Sequence, residues 1–332
     1  MIEKVTYIET DNIDPYHNLA LEELLLENVE KNECILYLWQ NKNTVVIGRN
    51  QNAWNECKVS YLEENGGKLV RRLSGGGAVF HDLGNLNFTF LVQEENYNVD
   101  KQLQVIIKAL EKFGLHAEKN GRNDITIDER KFSGNAFYKT NGHCYHHGTL
   151  MVNVNLQDLS KYLSVSKEKL KSKGVNSVKS RVINLSSLSE DITICTLKEK
   201  LYEAFGEVYG YVPKKIDENS INKELLNKKI EKFKSWDWKY GRKINFQYEI
   251  KNRFDWGDIL LQFNVENGKI HEIEIYSDAM NQDFIIKLRE LLTDVVFDKL
   301  TIIDRITKYQ WDEDIEQNMI DDIVKLINEQ EI

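Results

Sequence analysis

The stretch Lys68-Leu-Val-Arg-Arg-Leu-Ser-Gly-Gly-Gly-Ala-Val-Phe-His81-Asp-Leu-Gly-Asn-Leu-Asn-Phe-Thr-Phe90 decides how the rest of the chain is read. Leu86, Phe88 and Phe90 alternate with Asn87 and Thr89, which predicts a half-buried strand. Leu69 to Leu73 predicts a second strand. Between them stands Ser74-Gly75-Gly76-Gly77. Glycine loses the most entropy on ordering and packs no side chain, so this run is not strand interior. Such a run serves where backbone must approach something closely and bare N–H groups converge on an anion. Arg71, Arg72 and His81 add cationic or hydrogen-bonding capacity beside it. The alternative for the glycines alone is a glycine-rich hairpin turn.

The surrounding chain has 332 residues, 41% hydrophobic and 29% charged, the composition of a soluble globular protein of a large domain plus a smaller one. A net charge of −9 argues against a general nucleic-acid binder. No apolar run is long enough to span a bilayer, and Met1-Ile-Glu-Lys-Val lacks signal-peptide design. The 4 cysteines, Cys34, Cys57, Cys144 and Cys195, form neither a disulfide framework nor C-x-x-C pairs, so a reducing cytoplasm is expected.

Upstream, Val5 to Glu9 predicts a strand. Asp14-Pro15 predicts a helix start whose apolar face is Leu19, Leu24, Leu25 and Leu26. Ile35 to Trp39 and Thr44 to Ile47 are predicted strands, and Cys57 to Glu64 a helix. Downstream come a helix from Val105 to Phe113, a Gly121–Asp124 turn, strands over 130–138 and 143–152, and a short helix from Leu156 to Leu163. Helices are expected from a Thr196 cap to Phe205 and over Ile221 to Phe233, the latter basic on its outer face. Past Gly241 the texture becomes antiparallel β: Ile244 to Ile250, Ile259 to Val265, an Asn267-Gly268 hairpin turn and Ile270 to Tyr276. Two helices, Phe284 to Val295 and Ile315 to Ile327, complete a small α+β domain.

Four polar, glycine-bearing segments are candidates to line one cleft on strands that converge in one sheet: 71–82, 121–124, 131–134 and 146–148. The spacings fit neither a P-loop, nor G-x-G-x-x-G, nor G-x-S-x-G. His143, Cys144, His146 and His147 have the wrong spacing for a closed zinc site, and in a strand His146 and His147 point to opposite faces. Cys144 reads as a small buried hydrophobe rather than a nucleophile. Lys131, in Lys-x-Ser-Gly, puts an ammonium beside a glycine. There it is placed to hold a carboxylate and a phosphate together, the requirement for activating a carboxylate. Asp124 is a candidate Mg²⁺ contact, or an Asx-turn residue. The basic stretch from Lys167 to Arg181, with one acid (Glu168), reads as a solvated loop or a mobile arm closing over phosphates.

Taken together, these residues closely resemble lipoate–protein ligase of the two-domain bacterial type. The resemblance is carried by Arg71-Arg72-x-Ser74-Gly-Gly-Gly-Ala-Val-Phe-His81-Asp-x-Gly-Asn85, Gly121-Arg-Asn-Asp124, Lys131-x-Ser133-Gly134, His146-His-Gly-Thr-Leu150 and Lys173-Gly-x-x-Ser177-Val-x-Ser-Arg181-Val-x-Asn184-Leu. It extends through Trp236-x-Trp238 and Arg253-Phe-x-Trp-Gly257. It implies an α+β fold: a large biotin/lipoate ligase-like catalytic domain, residues 1–243, and a small C-terminal domain, residues 244–332. It implies a monomeric, cytoplasmic enzyme that turns ATP and lipoate, with Mg²⁺, into lipoyl-AMP and pyrophosphate. Lipoyl then passes to a lysine of the lipoyl domains of 2-oxoacid dehydrogenase E2 subunits or of the glycine-cleavage H protein. The family's nucleotide contacts fall on Arg72, Gly77, Ala78, Val79 and Phe80, and its lysine that touches both substrates falls on Lys131. Ser74, Gly76, His81, Asp124 and His147 are further candidates around ATP and lipoyl-AMP. The relatives that transfer octanoyl through a cysteine place it within Asn155 to Ser172, where this chain has none. A thiol acyltransferase working without ATP, and a non-catalytic acyl-binding module, are the two alternatives.

Overall fold

The computed structural model describes residues 1–121, 123–164, 182–241 and 244–330. Arg122 and the Lys167–Arg181 arm lie outside them. Eight strands form one mixed sheet in the order β11-β1-β2-β6-β10-β9-β8-β7. They are β1 Lys4–Glu9, β2 Glu33–Trp39, β6 Asn85–Gln93, β7 Glu118–Asn120, β8 Asp124–Ile127, β9 Arg130–Thr140, β10 His143–Met151 and β11 Lys214–Lys215. A second sheet holds β3 Thr44–Ile47 between β4 Lys68–Arg71 and β5 Val79–His81, parallel to the first and antiparallel to the second.

This order removes the hairpin reading of the glycine run. Strands β4 and β5, which the run connects, do not pair with each other, because β3 lies between them. The strand from Leu86 to Phe90 also departs from expectation. Its polar positions are as buried as its apolar ones, Asn87 at 2% and Thr89 at 0% exposure. One face packs Leu86, Phe88 and Phe90 into the main core with the helices α4 Val99–Glu111 and α6 Ile194–Tyr209. The other faces the smaller sheet.

Helix α1, Pro15–Asn28, starts as expected: the Asp14 side chain accepts from the Tyr16 N–H. It has no single apolar face. Leu19, Leu21, Leu24, Leu25 and Leu26 are all buried, because the helix is enclosed by the large sheet and by α7, Lys223–Lys234. Each fully buried leucine is worth about 1.5–3 kcal/mol. The basic face of α7 is partly turned inward: Lys229 and Lys232 pair with Glu27 and Glu23 of α1. Helix α6 is capped by Thr193; Thr196 closes its capping box at the N3 position and is not the cap. The predicted Cys57–Glu64 helix is shortened to α3 Val59–Glu64, because Cys57 is extended and bridges to Leu163, and an unpredicted short helix, α2 Ala53–Glu56, precedes it. The short helix α5, Leu156–Tyr162, accordingly stops one residue before the predicted end.

The C-terminal domain has its own core. Its sheet is β12 Tyr248–Phe254, β13 Gly257–Glu266 and β14 Lys269–Ser277, so the first strand begins later than the sequence indicates. Asn267 (φ 50°) and Gly268 (φ 74°) form the expected tight turn. Three helices follow rather than two: α9 Gln282–Leu292, α10 Lys299–Thr307 and α11 Asp314–Asn328. The unanticipated α10 has an Asp298 N-cap and buries Ile302 and Ile306. The two domains meet at the glycine run: the Gly76 N–H donates to the Ala279 carbonyl at 3.1 Å, and the Ser277 N–H to the Asn50 carbonyl at 2.9 Å.

Candidate active site

A cavity of about 210 Å³ lies between the large sheet and the β4-β3-β5 sheet. The segments expected to converge do so, but from two sheets facing each other rather than from one. Arg72, Gly76, Gly77, Ala78, Val79 and His81 form one wall; Lys131 and His147 belong to the other. Leu19, Trp39, Val46 and Ala136 give it an apolar portion. Phe80, Ser74 and Asp124 are the exceptions among the candidate residues: none of the three lines the cavity, and Phe80 differs in how it withdraws. Its ring turns away and stacks on Tyr162 at 5.2 Å between centroids.

The two arginines act differently. Arg71 is consumed by backbone: Nη1 donates to the carbonyls of Gly48, Arg49 and Gln51, Nη2 to Lys239 and Nε to Trp238. It ties the loop after β3 to α8, Trp236–Tyr240. Arg72 borders the cavity but is buried and braces the glycine run. Its Nε donates to Ser74 Oγ and the Gly75 carbonyl, and its Nη2 to the Gly75 carbonyl at 2.6 Å and the Gly77 carbonyl at 2.9 Å. Burial pulls its pKa down to about 10, which leaves it charged at neutral pH.

Each glycine of the run has its own reason. A Cβ on Gly75 would stand 2.5 Å from the Ala279 carbonyl oxygen, so Gly75 permits the contact between domains. Gly76 has φ +88° and its N–H is already engaged by Ala279, so it is not part of a free anion cradle. A Cβ on Gly77 would meet nothing within 4 Å. Packing therefore does not require glycine at 77, and the open cavity beside it is what a side chain would fill.

Ser74 sits behind the wall in a buried relay. Its Oγ accepts from Arg72 Nε and lies 2.9 Å from His147 Nε2. His147 Nδ1 lies 2.8 Å from Glu22 Oε1, which also accepts from Thr89 Oγ1 at 2.7 Å. Trp39 Nε1 donates to that same hydroxyl at 3.0 Å. The relay places the His147 proton on Nδ1, facing the carboxylate, and directs the Ser74 hydroxyl at Nε2. Glu22 escaped the sequence reading because it stands amid the leucines of α1. A charged residue in that apolar helix was the available signal.

His146 points the opposite way, as strand alternation requires. It is buried, its ring nitrogens meet the amides of Gln102 and Asn135, and burial pushes its pKa down to about 3. Cys144 is buried in the main core with its thiol raised to about 11 by burial, and no cysteine lines the cavity among the described residues.

Lys131 Nζ is 2.6 Å from Asp124 Oδ1. Gly134 makes room for this ammonium, since a Cβ there would come within 3.0 Å of Nζ. Asn123 comes from the expected 121–124 segment, whereas Asn87, Asn135, Thr149 and Met280 also line the cavity without having been singled out. Met280 arrives from the C-terminal domain, a juxtaposition over 200 residues of chain that no local pattern encodes. A larger cavity of about 400 Å³ lies between α2 and the C-terminal sheet. It contains none of the expected site residues, and Arg253 in its wall is paired with Asp258 at 2.6 Å.

Known proteins resemble this chain in sequence and in fold. Residues 14–206 match the lipoyl protein ligase A/B catalytic domain, and residues 243–327 the bacterial lipoate protein ligase C-terminus. Lipoate-protein ligase A of Psychrobacter cryohalolentis is 42% identical over 304 residues, covering 89% of this chain and 90% of the relative. The crystal structure of P. falciparum LipL1 in complex with lipoate superposes with a TM-score of 0.86 at 34% identity, covering 98% of this chain and 100% of that one. A lipoate-protein ligase A bound with ATP gives 0.60 at 25% identity, covering 72% and 98%. With its catalytic-domain cavity and separate C-terminal core, the chain belongs to the lipoate–protein ligase family.

Proposed function

We propose that the cavity activates lipoate with ATP and passes the lipoyl group to a protein lysine, with Lys131 as the catalytic residue. The observation that carries this is the position of Lys131. Lys131 lines the cavity together with apolar Leu19, Trp39 and Val46 and with Arg72, Gly76 and Gly77 of the glycine-run wall, its ammonium beside Gly134. The lipoyl chain takes the apolar portion beside Trp39, Leu19 and Val46, and nucleotide lies along Arg72 and Gly77 to Phe80, the last through its backbone. One cation between the lipoate carboxylate and the α-phosphate lowers their repulsion and stabilises charge developing on phosphorus. Carboxylate oxygen attacks the α-phosphorus, pyrophosphate leaves, and lipoyl-AMP remains. A lysine amine of the acceptor then displaces AMP. Asp124 holds Lys131 until the substrate anions take its place.

Among the described residues no three metal-ligating side chains come together. Mg²⁺ would therefore be held mainly by the phosphate oxygens of ATP, with Asp124 as the protein carboxylate within reach. The proposed acceptors are E2 lipoyl domains and the glycine-cleavage H protein. We place the domain boundary at residues 243/244, and read the protein as a monomer acting in the cytoplasm. Among the described residues no helix is long and apolar enough to cross a membrane.

Pyrophosphate release that requires lipoate tests the reading, with octanoate and biotin run in parallel. Lys131→Ala is expected to lower adenylate formation by at least about 100-fold with folding retained. Near-normal release in that variant would remove Lys131 from the mechanism. Acyl transfer without ATP that is lost in Cys144→Ser would replace the reading with a thiol mechanism.

A further inference from the structure

Two nitrogens in the cavity wall make no hydrogen bond: His81 Nε2 and Asn87 Nδ2. Both side chains line the cavity and are almost fully enclosed, at 4% and 2% exposure. Folded proteins rarely leave buried polar atoms unpaired, and an unpaired pair at the wall of a substrate cavity marks two donors available to what binds there.

The neighbours decide what His81 offers. Asn18 Nδ2 donates to the carbonyls of Asn12 and Gln40, which fixes that amide's orientation. The same nitrogen faces Asn41 Oδ1 at 3.1 Å, so Asn41 turns its own Nδ2 toward His81 Nδ1, at 3.2 Å. His81 Nδ1 must accept, and its proton sits on Nε2, which is enclosed and has no partner in the wall. Burial, reinforced by the Arg72 charge, keeps the ring neutral by pulling its pKa to about 3. Asn87 Oδ1 accepts from Asn85 Nδ2 at 3.0 Å, which leaves its Nδ2 as the second unpartnered donor of the wall.

Their place in the sheet says which ligand atom they meet. Asn87 pairs with Trp39 on one side and Thr149 on the other. Thr149 Oγ1 accepts from the Gly134 N–H, beside Lys131. The row Trp39–Asn87–Thr149 thus runs from the apolar portion to the ammonium, and Asn87 stands where an acyl chain ends and its carboxyl carbon begins.

We propose that His81 Nε2–H and Asn87 Nδ2–H together hold the acyl carbonyl oxygen through the transfer step; this rests on the ligase reading above. In that step a neutral lysine amine adds to the acyl carbon and the C=O π pair moves onto oxygen. The pair then returns, the bond from acyl carbon to the phosphate oxygen breaks, and AMP leaves, taking up the proton shed by nitrogen. Two neutral donors suit this oxygen. A cation would grip the free carboxylate hardest, whereas neutral donors gain most as charge grows on the carbonyl.

The test is single-turnover transfer from chemically prepared lipoyl-AMP to a lipoyl domain, alongside calorimetric binding of AMP. His81→Leu and Asn87→Leu should each slow transfer by about 100-fold while AMP affinity stays within about twofold. His81→Gln should recover part of the rate. Asn41→Asp, outside the cavity wall, should repeat the loss by drawing the proton to Nδ1. Nitrogen-15 NMR of the wild-type ring should find Nε2 protonated. Unchanged transfer in His81→Leu, an equal loss of AMP affinity, or a proton on Nδ1 in wild type would overturn the proposal. A wild-type protein that transfers from supplied lipoyl-AMP but makes none from ATP and lipoate would fail the ligase reading instead.

Discussion

Replacing Arg72 by lysine keeps a positive charge beside the glycine run but removes the fork that organises it. The guanidinium donates to Ser74 Oγ and to the carbonyls of Val46, Gly75 and Gly77. An ammonium is compact and reaches about two of these acceptors at once. Hydrogen bonds from a charged donor contribute about 1.5–3 kcal/mol each, so losing two gives about 3–6 kcal/mol. Water entering from the cavity side can replace the contact to Gly77, which lowers the expected loss to about 2–4 kcal/mol. Opening of the run would then become roughly 30- to 900-fold more frequent. Hydrogen exchange at the amides of Ser74 to Phe80 reads that opening locally, which a global melt of a two-domain chain would not. If Arg72 were free to serve nucleotide alone, exchange would change less than about threefold while the KM for ATP rose. That outcome would refute the bracing argument.

The glycines separate by the same reasoning. Gly77→Ala should leave stability within about 0.5 kcal/mol and raise the KM for ATP, whereas Gly75→Ala should loosen the domain contact through its clash with Ala279. Thermal melts paired with kinetics distinguish them, and a Gly77→Ala protein with unchanged ATP kinetics would sink the assignment. Acid stability is a second test. His81 and His146 are held neutral to about pH 3 in the fold, against 6.5 when free. Below pH 6.5 the unfolded chain binds protons that the native one does not, so stability should fall by up to about 1.4 kcal/mol per pH unit for each histidine. Urea midpoints at pH 7, 6 and 5 measure this, and His146→Gln should reduce the slope. A flat profile over that range would contradict neutral burial of both rings.

Much of the local structure was legible in the chain because its causes are local. Asp14-Pro15 caps a helix whatever surrounds it, since the Asp side chain and the missing proline N–H act within one turn. Asn267-Gly268 makes a hairpin because both residues accept positive φ. Strand alternation separated His146 from His147 before any contact was known. Chemistry-bearing motifs were also readable: Lys131, Arg72, Gly76 and Gly77 all border one cavity. What the tertiary structure alone decided depends on distant partners. Asn87 and Thr89 alternate like a solvated face, yet a second sheet and α1 cover them. The alternation cannot distinguish water from a polar site as the thing opposite. Glu22 became the anchor of His147 only when α1 packed across β6 and β10. The glycine run shows both halves. Its composition declared a close backbone approach, which is a property of glycine. Whether the approaching group was an anion or another backbone was set elsewhere in the chain: Gly75 and Gly76 meet the carbonyls of Ala279 and Met280, and Gly77 faces the open cavity.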